Sequence, residues 1–271
     1  MVETSILWLR VAAASYAVAL VHTLLTVTRR RTRWFAAALA VFTLGAVLQL
    51  VSIVEKTAIS GHFPANNFFE SASLCALMSA VLYLFVWWRY RLESLSLFVF
   101  PLVSVLTLVG ALGSPLWAWE DERVRDAWLV VHVVLVLVGY AALLITAVAS
   151  LAYLVRERQL KSKQPPYAQN APALGTLDEL IGRGMTSGFV FITLAVVVGS
   201  IWASIEWGFR WIRDPRIVIS LVTWAIYLVM VFLRLTAGWR GRKAAIMVIS
   251  VLGCSVVTWA AHNGLRTWLA R

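Results

Sequence analysis

Eight stretches of the chain are apolar enough to lie in a lipid bilayer, and shorter polar segments separate them. They fall near 5–27, 34–55, 70–88, 95–113, 128–155, 185–205, 217–235 and 245–261. A helix crosses the hydrocarbon core in roughly 20 residues, which is close to the length of each run. None of the runs alternates apolar and polar positions, as a lipid-facing barrel strand does. Without water, backbone N–H and C=O groups must pair inside their own segment, so continuous apolar runs mean helices. The pattern predicts an all-α integral membrane protein of about eight transmembrane helices, a single polytopic domain over 1–271. The longest polar stretch, 156–184, contains Gln164-Pro165-Pro166 and Asn170-Ala171-Pro172. It reads as a cytoplasmic linker with a short helix around Thr176–Ile181.

Composition agrees. Hydrophobic residues make up 61% of the chain and charged ones 14%, where soluble domains carry about a quarter charged residues. The first apolar run has no basic segment before it and no small-residue cleavage site after it. It ends in Arg29, Arg30, Arg31 and Arg33, so it reads as a retained helix rather than a signal peptide.

The net charge of +11 raises nucleic acid as a partner. Its distribution favours orientation instead. Placing Arg29–Arg33, Arg89, Arg91, 156–184 and Arg234–Lys243 on one side collects 15 of the 24 Lys and Arg there. The positive-inside rule then puts that side in the cytoplasm and both termini on the outer, extracytoplasmic face. No nucleic-acid partner is implied.

Chemistry-bearing residues are few. His22, His62, His132 and His262 are the only histidines. On this topology His132, one turn inside the fifth helix, and His262, closing the last, lie near the outer face. Two imidazoles at one membrane level could hold the iron of a haem, and an interfacial His that bonds water or a headgroup fits the same spacing. Tryptophan is biased to the outer side, at Trp8, Trp117, Trp119, Trp128, Trp202, Trp207, Trp211, Trp259 and Trp268. An interfacial belt explains part of this, and a flat aromatic ligand would explain the imbalance. Arg210, Arg213 and Arg216 sit among those aromatics and could pair with carboxylates, including haem propionates, or with Asp214, Glu206 or lipid phosphate. Cys75 and Cys254 fall inside predicted spans, belong to no CxxC, and read as small buried residues. No acid lies deep in a span and no internal repeat is visible, which speaks against a proton-coupled pump or an inverted-repeat transporter.

The segment Trp207-Gly208-xx-Trp211-x-Arg213-Asp214-Pro215-Arg216 resembles the tryptophan-rich signature WGxxWxWDPKE of the CcsA/ResC/HemX-type cytochrome c assembly proteins. Other stretches match that family in order. They include Gly61-His62-x-Pro64-x-x-Asn67-x-x-Glu70-Ser71, Tyr90-Arg91-Leu92 with Pro101, and His132 with Gly139-Tyr140-Ala141-Ala142. Leu177-Asp178, Gly188-Phe189, Gly199-xx-Trp202-Ala203, Thr223-Trp224-xx-Tyr227 and Gly238-Trp239-Arg240-Gly241-Arg242 follow in register.

The resemblance implies a multi-pass protein of the bacterial inner membrane that presents haem b at the outer face for attachment to apocytochrome c, alongside a ResB-like membrane partner. It implies His132 and His262 as haem-iron ligands, with Trp207, Gly208, Trp211, Arg213 and Asp214 in the cofactor-binding segment. Any thioether formation would belong to the lyase complex. Two departures stand out. The second signature Trp is Arg213, and the family's two histidines inside the membrane correspond to Gln49 and Phe232. A HemX-like, non-catalytic regulator of haem synthesis that has lost the intramembrane ligands is the alternative.

Overall fold

The computed structural model describes residues 2–28, 34–61, 63–64, 68–112, 127–166, 171–213 and 215–269. Side chains are described throughout these except at 2, 3, 27, 28, 68, 127, 129, 206, 207, 209, 210, 213, 215, 216 and 256–269. Among the described residues the fold is helical, with no strand. It comprises α1 (Val2–Thr28), α2 (Phe35–Ser60), α3 (Phe68–Tyr90), α4 (Ser96–Leu112), α5 (Ala127–Lys161), α6 (Leu174–Trp207), α7 (Pro215–Thr236) and α8 (Arg242–Leu269). Short 3-10 helices precede α4 at Glu93–Leu95 and α7 at Gly208–Arg213. By length and composition α1–α7 can each cross a membrane. The protein is an all-α, multi-pass membrane protein.

Two groups of four helices meet along α3 and α5. In the first, α1 packs on α2 and α4, and α3 packs on α4; in the second, α5 packs on α6 and α8, and α7 on both of these. Aromatic rings fill the first group. Phe42 stacks flat on Phe100 with centroids 4.1 Å apart, and Tyr83 sets its edge against both. Tyr16 closes the cluster from α1, 5.0 Å from Phe42. With lipid outside, helices gain little from burying apolar side chains alone, so close packing and interhelical hydrogen bonds must hold them. Small residues supply the close packing between α5 and α6. A Cβ at Gly184 would stand 2.1 Å from Thr146 Oγ1, and one at Gly188 3.3 Å from Ala142 Cβ.

Gln49 supplies the hydrogen bonds in the first group. It is fully buried on α2, accepts from the Tyr16 hydroxyl at 2.9 Å and donates to the Ser73 carbonyl and hydroxyl at 2.9 and 3.1 Å. One amide thereby ties α1, α2 and α3. Tyr227 and Trp224 do the same between α7 and α6, donating to the Met185 carbonyl and Thr193 Oγ1.

The polar stretch expected as a linker over 156–184 is much shorter. Helix α5 continues to Lys161 and α6 starts at Leu174. Leu177, Leu180 and Ile181 are buried in the core, while Asp178, Glu179 and Arg183 on the other faces dilute the apolar signal of the same turns. Glu157 and Lys161 pair at i,i+4, 2.8 Å apart, on the last turn of α5. Asp178 anchors this end. Its carboxylate accepts from the Arg234 guanidinium at 3.1 Å and from the Gly241 N–H at 2.7 Å, joining α6, α7 and the turn into α8. Gly241 and Gly238 turn there with φ near +62° and +63°, a conformation glycine adopts without strain.

One smaller expectation, that both cysteines are buried, is corrected. Cys254 is exposed on the outer surface of α8, while its neighbour Ser255 is buried; Cys75 is half-buried. Phe232 is 59% exposed on α7 and points away from the bundle, so it shares no interior site with Gln49.

Candidate functional site

His132 lies one to two turns into α5, where that helix packs on α6. Its Nδ1 stands 2.7 Å from the Ala195 carbonyl oxygen. A carbonyl only accepts, so Nδ1 carries the proton and donates. The neutral ring then presents Nε2 as a lone-pair nitrogen. No protein hydrogen bond to Nε2 occurs among the described residues. Metal-binding histidines characteristically donate their other nitrogen in this way, which fixes the tautomer and the ring plane.

Four residues after Ala195 comes Gly199, one turn further along the same face of α6. A Cβ there would meet His132 Cε1 and Nδ1 at 2.6 Å. The ring therefore fits against α6 only because position 199 lacks a side chain. Ala195 and Gly199 together form its seat.

The imidazole borders a cavity of about 210 Å³. Gly199, Trp202 and Ala203 line it from α6, Ser220 from α7, and Trp211 from the 3-10 helix between them. That short helix begins where Gly208 breaks α6 at φ +57°, ψ −150°, a backbone shape open only to glycine at no steric cost. The break folds Trp211 back over the cavity. Enclosed ligand sites run to roughly 300–1,000 Å³, so this cavity admits part of a macrocycle rather than swallowing one. Among the described residues the donor set is one tautomer-fixed imidazole and two half-buried indoles, which would offer a single nitrogen ligand to a flat metal-holding ring. Among the described residues no group of three or more His, Cys, Asp or Glu forms.

Of the residues singled out from sequence, the structure brings His132, Gly208 and Trp211 to one end of α5, α6 and α7. Trp207 and Arg213 belong to the same turn, His262 lies on α8, and the side chains of all three fall outside the described residues, as do Asp214 and His62. Gln49 lies elsewhere, in the first helix group, with both amide atoms engaged. Sequence reasoning gave no role to Ala195 or to Gly199. Their i,i+4 spacing of small residues on an apolar helix was the available signal.

A multi-pass helical membrane protein with a carbonyl-fixed imidazole beside an indole-lined cavity is thus the class that fold and site define. The comparison with known proteins narrows it. The family described as cytochrome C assembly protein matches residues 8–262, and the chain belongs to that family. It is similar to the cytochrome c biogenesis protein CcsA of Chlamydomonas reinhardtii, 30% identical over 227 residues, covering 81% of this chain and 62% of the algal protein. It is likewise similar to CcsA of Synechococcus sp. (strain CC9902), 30% identical over 235 residues and 73% of each chain. CcsA of Prochlorococcus marinus (strain NATL1A) is 31% identical over 244 residues, 78% of this chain and 76% of that one. The chain thus spans somewhat under two thirds of the length of the algal relative and about three quarters of the cyanobacterial ones.

Proposed function

We propose that the chain handles haem in cytochrome c biogenesis, with His132 as an axial ligand and the cavity opening to the outer side of a bacterial cytoplasmic membrane. One observation carries the reading: Nδ1 of His132 is committed to Ala195, Nε2 has no protein hydrogen bond among the described residues, and the ring shares a cavity with Trp202 and Trp211. Haem iron takes imidazole nitrogen, and indole rings pack well on a flat aromatic face. The names of the relatives support the process. The excess of Lys and Arg in the 29–33, 89–91, 156–184 and 234–243 segments supports the orientation, with both termini outside.

In this reading haem b is cargo, whose vinyl groups supply the carbons for attachment to apocytochrome c. The chain's own part is to fix the ring tautomer, hold one axial position and line one side of the cavity. Catalysis by positioning of this kind removes much of the entropy barrier to a bimolecular step. His262 is the proposed second ligand, Trp207, Gly208, Arg213 and Asp214 complete the binding segment, and a ResB-like protein is the membrane partner.

An absorption spectrum of detergent-purified protein, oxidised and reduced, with a pyridine haemochrome assay tests this. Stoichiometric haem in the wild type and its loss in His132→Ala is the expected result. A colourless protein that also fails to take up added haem would overturn it.

A second reading, a HemX-like regulator without a transfer role, draws on Gln49 and Phe232. The first is locked into a structural hydrogen-bond knot and the second faces outward, so neither position offers an intramembrane ligand. Deleting the gene would then change haem-precursor levels and leave holocytochrome c intact. Loss of holocytochrome with normal precursors excludes this reading.

A further inference from the structure

Far from His132, a lateral groove of about 710 Å³ opens between α1 and α4. Arg10, Ala13, Ala14 and Ala17 form one wall, and Ser104 and Leu108 belong to the other. Arg10 is the only Lys, Arg, Asp or Glu in the span Thr4–Thr26, and α4 has none. Its side chain is exposed and makes no ion pair among the described residues. A charged residue inside a membrane span is costly there and almost always pairs with an opposite charge or faces a protein interior. Among the described residues Arg10 does neither.

We propose that this groove seats a membrane-spanning helix of a partner protein, with a carboxylate of that helix on Arg10. Two further features specify a helix. Arg10, Ala13, Ala14 and Ala17 recur at helical spacing, so they form one stripe, and alanines along it let a second backbone approach closely. The α4 wall repeats at 104 and 108, and two such ridges with a gap between them take the ridge of a third helix. An acyl chain gains nothing from three alanines in place of larger apolar side chains. A second copy of this chain would bring Arg10 against Arg10 across a two-fold axis, which repels. The inference goes beyond the haem reading, since it concerns a surface on the other helix group.

A photo-crosslinking amino acid at Ala14, activated in native membranes, tests it. The expected adduct is to an apolar span of another protein that contains Asp or Glu, identified by mass spectrometry of the linked peptide. Arg10→Glu should abolish that adduct, and replacing the partner's carboxylate by Arg should restore it on the Arg10→Glu background. Arg10→Gln, with membrane insertion checked, should weaken the adduct in the same direction and guards against an insertion defect in the charge reversal. Adducts to lipid alone, to a second copy of this chain, or to a span without a carboxylate overturn the proposal, as does an adduct indifferent to both Arg10 variants. Haem content plays no part in the readout, so failure here and failure of the haem reading are separate results.

Discussion

His132 on α5 and Ala195 on α6 meet with Nδ1 2.7 Å from the carbonyl oxygen. That bond spends the ring's one proton on the backbone and leaves its basic nitrogen for a ligand. It also explains why Gly199 must be small, since the ring lies over the next turn of the same helix.

Replacing His132 by Ala should empty the proposed axial position while leaving the bundle intact, because a cavity already borders the site. Imidazole added to the purified variant should restore the haem spectrum, reading the missing ligand directly. A variant that keeps its normal spectrum without imidazole places the ligand elsewhere.

Gly199→Ala should displace the imidazole, because the new Cβ would sit 2.6 Å from two of its atoms. Disturbing the group that orients a metal-binding histidine lowers affinity about 10- to 100-fold. Haem titration followed by absorbance measures this, and unchanged affinity would show that the ring's seat on α6 is irrelevant to binding.

Gln49→Leu removes an acceptor from the Tyr16 hydroxyl and a donor from Ser73. Leaving buried partners unsatisfied costs about 1–3 kcal/mol. The thermal midpoint in detergent should fall while the haem content of the remaining folded protein stays the same. Haem loss at an unchanged midpoint would mean that Gln49 serves the ligand and not the scaffold.

Asp178→Ala should destabilise the opposite end of the bundle. It takes the carboxylate from the Arg234 guanidinium, which keeps only the Asp178 and Trp239 backbone carbonyls, and removes the acceptor of the Gly241 N–H. Removing one partner of a half-buried, charge-assisted hydrogen-bonded pair costs about 1–3 kcal/mol. Arg234→Ala alone should cost a similar amount, and the double variant less than the two combined. Strict additivity in denaturation midpoints would show that the pair is not coupled.

Much of the fold was legible from the sequence because a bilayer permits few solutions. Eight apolar runs became eight helices, with most ends within a few residues of expectation. The largest departure is the start of α6, at Leu174. Asp178, Glu179 and Arg183 made its first turns read as linker, although Leu177, Leu180, Ile181 and Met185 are buried on its inner face. Average hydropathy loses an amphipathic turn at a membrane edge, because buried and exposed faces cancel in it.

The site divides in the same way. The sequence by itself singled out His132, Gly208 and Trp211, since each stands in a motif that resembles one of a family. It also set Gln49 and Phe232 where the resemblance implies histidines. Only the tertiary structure decided what those residues do. It gave His132 its tautomer through Ala195, gave Gly199 its reason, bound Gln49 into a three-helix knot and turned Phe232 outward. Helix identity is set locally, by the rule that backbone groups in lipid must pair within their own segment. A side chain's partners are set by which helices touch and at what rotation, and no local pattern carries that information.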